Sequence, residues 1–204
     1  MADELGPIAT RVLFENDDVR VWEMDLAPGE VCGMHHHTLD YLLYIIDGSK
    51  VGVESPGHRS YEFETRPRCV YFIPAGGIES AHNVGSGRFR EALFELKRAP
   101  GRRRPAPGYA ACEALAGTNA SPGTVQIFEN DRVRLSETTL APGANNSAKS
   151  RHDSVLFVID GGQVEGSLKG KQASNAVRWV PRGTEATLQN RGNANYRQLT
   201  LEIK

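Results

Sequence analysis

Three consecutive histidines lie in the segment GEVCGMHHHTLDYLLYIIDG, Gly29–Gly48. In a β-strand, residues i and i+2 point to the same face, so His35 and His37 would project together while His36 projects to the opposite side. Neutral imidazole is a common metal ligand, and two imidazoles on one face can chelate a single ion. The spacing therefore predicts that His35 and His37 belong to a metal site.

A third ligand is expected from the segment YFIPAGGIESAHNVGSG, Tyr71–Gly87. Glu79 is the predicted ligand because the family resemblance given below implies a ligand at its position, and strand alternation places it on the same face as Asn83 and His82 on the other. His82 is the alternative, because a single β-bulge would turn it inward instead. Two histidines and one carboxylate leave coordination positions open, as in non-haem iron oxygenases, and they also suit zinc, manganese or nickel. We predict one divalent transition metal per chain, with those four metals not distinguished.

The elements that must position these residues occur twice along the chain. Residues 13–29 and 127–143 are identical at about 11 of 17 positions, and three later segments match in the same order. Such self-similarity indicates two copies of one structural unit. We predict domains at residues 1–97 and 124–204. Between them, a Pro-, Gly- and Arg-rich linker at residues 98–123 would contain a short helix over Tyr109–Gly117.

Each copy consists of short apolar runs rich in Val, Ile, Tyr and Phe, several of which alternate with a period of two. Turn signals such as Asp-Gly and Ser-Pro-Gly separate the runs. Many short strands at regular spacing are typical of an all-β sandwich or barrel.

The order of these motifs resembles the cupin superfamily. The first cupin motif, a glycine followed by His-x-His, an acid and a later glycine, corresponds to Gly29, His35, His37, Asp40 and Gly48. The second motif, Pro-x-Gly followed by a ligand and an asparagine, corresponds to Pro74, Gly76, Glu79 and Asn83. The resemblance implies a bicupin, which has tandem double-stranded β-helix (jelly-roll) barrels.

The sequence departs from the cupin pattern at two ligand positions. Cupins commonly place a glutamate four or five residues after the second histidine, where this chain has Tyr41 and Leu42. Glu79 stands where the second motif usually has a histidine. The resemblance therefore implies the fold more strongly than any one activity, because the same fold supports dioxygenases, isomerases, decarboxylases and binding proteins.

The second copy lacks the predicted ligands. Ala148 and Ser150 align with His35 and His37 if one residue is deleted, and Ala186 aligns with Glu79. The second barrel is therefore expected to carry no metal and to have a structural role, with a retained non-metal pocket as the alternative. Asp40 and His82 are candidate acid–base residues if they face the first cavity. Asp40 is equally a candidate turn residue, because Asp153 is kept where the histidines are gone.

Bulk properties exclude some classes of partner. The formal net charge of −1 argues against a general nucleic-acid binder, and no apolar stretch is long enough to span a bilayer. The polar N-terminus does not resemble a secretory signal, and three cysteines without metal-type spacing are expected to be free thiols in a reduced, cytoplasmic protein. We also expect a homodimer, since barrel-edge strands such as RVLFEN and VQIFEN are usually paired or covered.

Two functions from different classes fit this sequence. The first is a metal-dependent enzyme of the oxygenase or isomerase type that acts on a small polar molecule in the N-terminal barrel. The alternative is a non-catalytic cupin that binds or senses a small ligand. A structural remnant without any site is a third interpretation.

Overall fold

The structure is a computed structural model that describes residues 5–99, 106–110, 123–167 and 170–204. Every regular element among these residues is a β-strand. The chain divides into two compact units, Met1–Leu115 and Ala116–Lys204, which we call the first and second unit.

The first unit contains two antiparallel sheets. A six-stranded sheet has the order β1-β2-β9-β4-β7-β10, and a four-stranded sheet has the order β3-β8-β5-β6. The strands are β1 (Arg11–Glu15), β2 (Val19–Leu26), β3 (Val31–His36), β4 (Asp40–Asp47), β5 (Lys50–Glu54), β6 (Tyr61–Glu64), β7 (Val70–Ile73), β8 (Ile78–Asn83), β9 (Phe89–Leu96) and β10 (Gly108–Ala110).

The second unit repeats this arrangement. Its five-stranded sheet has the order β11-β12-β19-β14-β17, and its four-stranded sheet has the order β13-β18-β15-β16. The strands are β11 (Gly123–Glu129), β12 (Val133–Leu140), β13 (Asn145–Lys149), β14 (Asp153–Asp160), β15 (Gly162–Gly166), β16 (Gly170–Gln172), β17 (Val177–Val180), β18 (Glu185–Asn190) and β19 (Tyr196–Ile203). Adding ten to each first-unit number reproduces these orders, except for β10, so the sequence repeat is a repeat of topology.

The apolar alternation of the strands creates the interior of the first unit. The inward side chains of β2, β4, β5 and β9 come together in one buried cluster, which includes Met24, Tyr41, Ile45, Val51 and Leu93. Burying such side chains is worth about 1.5–3 kcal/mol each relative to exposure. The two sheets are therefore held together by apolar contacts around the place where the polar ligands project.

A buried asparagine stabilises the end of β8 in the first unit and the end of β18 in the second. The side-chain N–H groups of Asn83 donate to the carbonyls of Leu26 and Gly87, and its Oδ1 accepts from the N–H of Gly85. Asn190 makes the equivalent set of three bonds in the second unit. Leaving a buried backbone group without its partner costs about 1–3 kcal/mol, so this residue fixes the strand that carries Glu79.

The linker contains a strand where the sequence pattern predicts a helix. Gly108–Ala110 forms β10, which pairs antiparallel with Val70–Phe72 of β7. Residues 109 and 110 are thus extended, and the rest of the predicted helix lies outside the described residues. Helix-forming residue types predict a helix only weakly, because tertiary contacts often override local propensity. Here the open edge of β7 offers backbone hydrogen bonds to an extended segment.

The cysteines do not all match the expectation of free thiols. Cys32 is free and buried, whereas Cys69 is disulfide-bonded. Cys112 lies outside the described residues. The expectation is therefore wrong for Cys69, because sequence spacing does not report which thiols the fold brings together.

Candidate metal centre

Strand β3 and the residue that follows it place His35 and His37 in the interior of the first unit. His35 and His37 are buried, with 1% and 2% of their surface exposed, while the intervening His36 is only partly buried. A β-bulge between Cys32 and His35 shifts the pairing of β3 with β8. Bulges re-aim side chains, and this one sets the face on which the histidine pair projects. The predicted parity of the three histidines is confirmed.

Glu79 reaches the pair from the neighbouring strand. It lies directly opposite His35 in the β3–β8 ladder, and its side chain is 28% exposed. Directly opposed residues have Cβ atoms about 4.5–5.5 Å apart, so the register alone brings the carboxylate to the imidazoles. Backbone bonds from the His37 N–H to the Gly77 carbonyl and from the Gly76 N–H to the His37 carbonyl extend the pairing past the end of β3.

The distances between the donor atoms suit one shared ion. Nε2 of His35 lies 3.2 Å from Nε2 of His37, and Nε2 of His37 lies 3.4 Å from Oε1 of Glu79. The ligand atoms of all three residues fall within 4.8 Å of one another. Donors bound to one ion at about 2.1 Å and at angles of about 90–109° lie about 3.0–3.4 Å apart. The residues therefore fit a divalent metal.

The surroundings of His35 select the correct tautomer for a ligand. Its Nδ1 lies 2.8 Å from the carbonyl oxygen of Gly33, to which only a protonated nitrogen can donate. Nε2 is then the unprotonated nitrogen and is free to bind a metal, as with many metal-ligating histidines. Burial lowers the pKa of His35, which favours this neutral form. Cys32 lies 3.7 Å from Nδ1, but burial raises the pKa of its thiol to about 11, so it stays protonated.

His37 is held by an aromatic contact. Its ring stacks on Tyr41, with centroids 3.9 Å apart and planes inclined by 12°. Tyr41 occupies the position where the cupin pattern has its usual glutamate, and it supports the imidazole with a ring face. Nδ1 of His37 is buried and finds no hydrogen-bond partner among the described residues. Stacking therefore helps to orient this ring, since Nδ1 has no hydrogen bond to a described residue that would do so.

The second unit has the same backbone without the ligands. Ala148 lies directly opposite Ala186 in the β13–β18 ladder, as His35 lies opposite Glu79. This ladder runs without the bulge, which accounts for the one-residue deletion that aligns the two copies. Ser150 keeps the backbone bonds of His37, donating to Thr184 and accepting from Gly183.

The corresponding pocket of the second unit has a larger share of polar lining than the cavity of the first unit. It has a volume of about 260 Å³ and is lined by hydroxyl, amide and charged groups that include Arg134, Ser136, Thr138, Gln198 and Glu202. The described residues of this unit contain no cluster of three metal-binding side chains. The pocket is compatible with the retained non-metal pocket that the sequence left as the alternative, and the role of the second barrel stays a prediction.

The two candidate acid–base residues do not line the cavity of the first unit. Asp40 is buried at the start of β4, and its Oδ1 accepts from the N–H of Ala75 at 2.9 Å. Oδ1 of Asp153 accepts from the backbone N–H of Arg182 at the same distance in the second unit, so this aspartate links the start of a strand to a later turn in both copies. His82 pairs with Val31 and Gly52 on the side of β8 away from Glu79. Neither position gives support to the predicted catalytic roles.

A cavity of about 320 Å³ opens beside the three ligands. Its polar groups are few, and most of its wall is aliphatic or aromatic. The lining residues are Ile8, Met24, His35, His37, Tyr41, Leu43, Ile45, Val51, Val53, Tyr61, Phe63, Thr65, Tyr71, Ile73, Glu79, Ala81, Phe89, Glu91 and Leu93. Tyr61 is 55% exposed and lies at the mouth. A mostly apolar wall with a few polar groups is typical of small-molecule sites.

Sequence reasoning missed Glu91 in this wall. The residue is 5% exposed, and burial followed by the charge of Glu79 raises the pKa of its carboxyl group to about 8. The unfolded chain ionises near 4.5, so Glu91 lowers the free energy of unfolding as the pH rises from 4.5 to about 8. A signal was present, because strand alternation places Glu91 on the same face as Phe89 and Leu93, where an acid is out of place.

Comparisons with known proteins identify the fold. AerE from Microcystis aeruginosa superposes with a TM-score of 0.68 at 8% identity, over 95% of this chain and 90% of AerE. Oxalate decarboxylase from Bacillus subtilis, described with Mn(II) centres, superposes with a TM-score of 0.64 at 14% identity, over 91% of this chain and 69% of that chain. The chain has the bicupin fold. The all-β jelly-roll prediction is confirmed, and the two units of this bicupin are its barrels.

One curated protein shares sequence with the bicupin. Auxin-binding protein T85 from Nicotiana tabacum is 25% identical over 99 residues, which are 46% of this chain and 53% of that protein. The chain thus spans about half the length of this relative. No family model matches the sequence. Among the described residues of the bicupin, we find no helix with the length and apolar character needed to cross a membrane.

Proposed function

We propose that this bicupin is a metal-dependent enzyme whose reaction takes place in the first barrel. The observation that carries the proposal is the convergence of His35, His37 and Glu79, within 4.8 Å of one another, at the wall of a ligand-sized cavity. The Mn(II) centres of oxalate decarboxylase support a divalent metal in the same fold. A metal held by these residues would activate dioxygen or polarise an oxygen atom of the ligand.

The oxygenase type is the favoured reaction. Two histidines and one carboxylate leave open positions for a substrate and dioxygen, which is the arrangement of non-haem iron oxygenases. The apolar wall would exclude water from the site, and closed, dry sites protect reactive species from side reactions. An isomerase-type reaction uses the same residues without dioxygen and is the second possibility.

The substrate is proposed to be a small molecule with a largely apolar body. The cavity volume of about 320 Å³ suits a molecule with one ring, and Ile45, Leu43 and Phe89 are among the groups that would enclose it. The stacked ring of Tyr41 would keep His37 in place, and the bond from His35 to Gly33 would keep the lone pair of Nε2 directed inward.

Oxygen uptake tests this proposal. Protein purified without a His-tag and loaded with iron(II) is mixed with a panel of small aromatic and alicyclic ketones, aldehydes and acids. We expect uptake above background with at least one compound, and its loss in the His35→Ala variant. Ser150→Ala, at the position of His37 in the second barrel, is the matched control and should retain the activity. Compounds that bind but remain unchanged with iron, manganese, zinc and nickel would contradict an enzymatic role.

A binding module is the second candidate function. It is favoured by the name of the relative from Nicotiana tabacum, an auxin-binding protein that aligns with part of this chain. The metal and the cavity would then hold a ligand without turnover. Product analysis in the uptake experiment separates the two functions, because a binding module returns the ligand unchanged.

We further propose that the protein forms a homodimer through an edge strand. Strands β1 and β11 lie at the edges of their sheets among the described strands, and each exposes a valine, Val12 by 42% and Val125 by 38%. Exposed edges of this kind are usually covered or paired. Light scattering should give about 45 kDa, twice the chain mass of 22.3 kDa. A mass near 22.3 kDa at every concentration would contradict the dimer.

The cellular compartment stays a proposal. The sequence predicts a cytoplasmic protein. The disulfide of Cys69 argues for an oxidising compartment instead, since structural disulfides are rare where thiols are kept reduced.

A further inference from the structure

Glu91 is a buried acid in the wall of the first-barrel cavity. It lies on β9 between the inward-facing Phe89 and Leu93, is 5% exposed, and lines the cavity of the first barrel. Its side chain forms no hydrogen bond or ion pair with any residue that the structure describes. Buried carboxyl groups are normally paired because desolvation without compensation is unfavourable. A reason for keeping this acid must therefore lie in the cavity.

The second barrel provides an internal comparison. Gln198 is the counterpart of Glu91. It lies opposite Thr138 in the β12–β19 pair, just as Glu91 lies opposite Met24 in the β2–β9 pair. The Oε1 of Gln198 accepts a hydrogen bond of 2.9 Å from the hydroxyl group of Tyr196. The first barrel has Phe89 in place of that tyrosine, so the acid receives no such bond. The side chain at this position lines the pocket in both barrels, but only in the second barrel does it accept a hydrogen bond from a neighbouring residue that the structure describes.

The carboxyl group is a hydrogen-bond donor at neutral pH. Burial, and secondarily the charge of Glu79, raises the pKa of Glu91 to about 8, so the protonated form predominates at pH 7. A protonated carboxyl group carries one O–H donor. Among the described residues, the acids that line this cavity are Glu79 and Glu91. Glu79 lies opposite His35 and is a proposed metal ligand, so the two acids have different proposed roles.

We propose that Glu91 anchors the ligand of the first barrel by donating a hydrogen bond to an oxygen atom of a small, otherwise apolar molecule. This inference rests on the proposed function, because it assigns the ligand class of that same cavity. The proposed ligand is an uncharged molecule the size of a single ring that carries one acceptor oxygen, such as that of a carbonyl group. The aliphatic and aromatic wall encloses the body, and the Glu91 O–H replaces the hydrogen bond that the oxygen loses on leaving water.

Matched probes of one shape test this assignment. Acetophenone carries the ring and the acceptor oxygen, ethylbenzene lacks the oxygen, and benzylamine is a cation at neutral pH. Dissociation constants for each are measured by titration calorimetry with wild type, Glu91→Gln and Glu91→Leu, in metal-loaded and chelator-treated protein. Glutamine keeps a donor of nearly the same shape, whereas leucine removes it. Thermal unfolding of each variant verifies that the barrel is intact.

The expected pattern follows from one hydrogen bond. Acetophenone should bind wild type and Glu91→Gln within about twofold of each other, and Glu91→Leu about three- to tenfold more weakly. Ethylbenzene should bind Glu91→Leu at least as tightly as wild type. If benzylamine binds wild type more tightly than Glu91→Leu, Glu91 is ionised and the proposal is wrong. The proposal is also wrong if acetophenone does not bind, or if it binds Glu91→Leu as tightly as wild type. Metal content, measured on the same samples, separates these failures from a failure of the metal site.

Discussion

Replacing both His35 and His37 by alanine will reduce the bound metal from about one ion per chain to nearly none. The pair supplies two of the three donors, and a single carboxylate on a partly exposed side chain does not hold a transition metal tightly in water. The measurement is elemental analysis of untagged protein after iron, zinc, manganese or nickel has been supplied. Metal at 100 times its dissociation constant should stabilise folded wild type by about 2.7 kcal/mol and so raise its melting temperature. The melting temperature of the double variant should not change.

The second barrel supplies the control for this experiment. Ser150→Ala changes the position that corresponds to His37 in a barrel whose described residues contain no ligand cluster, so the metal content should stay at one. Wild-type protein that remains free of metal after all four ions are supplied would show that the histidines are not a metal site. The binding function would then replace the enzymatic one.

Replacing Glu79 by alanine will weaken metal binding by about 100-fold or more, whereas His82→Ala will change it by less than about twofold. Losing an outer-shell partner already costs 10–100-fold in affinity, and Glu79 is placed to bind the ion itself. His82 pairs with Val31, lies on the other side of β8, and does not line the cavity. Competition titrations with a chromogenic chelator give both affinities. Glu79→Gln, which keeps the shape but removes the charge, separates ligation from packing.

The opposite result has a specific meaning. If His82→Ala strips the metal and Glu79→Ala retains it, the register of β8 against β3 differs from that in the structure by one residue. A one-residue slip exchanges the two faces of a strand, so each side chain would trade its inward or outward position.

Local patterns in the sequence were enough to predict most of the framework. Alternation along a strand has a period of two, which places His35 and His37 on one face without knowledge of any other strand. The repeat alignment likewise predicts Ala148 and Ala186 as the counterparts of His35 and Glu79, and the ladder pairs them directly. These predictions succeed because the period and the order of strands are properties of the chain itself.

The contents of the cavity could be decided only by the tertiary structure. Whether Asp40 faces the cavity depends on where the turn at Ala75 packs, and that contact joins residues 35 positions apart. Glu91 lacks a partner among the described residues because Met24, Ile45 and Phe89, on three strands, surround it with apolar groups. The pairing of Cys69 and the strand at Gly108–Ala110 also arise from distant contacts. Burial and partnership are set by residues far apart in the chain, so strand alternation gives the face of a side chain but not its surroundings.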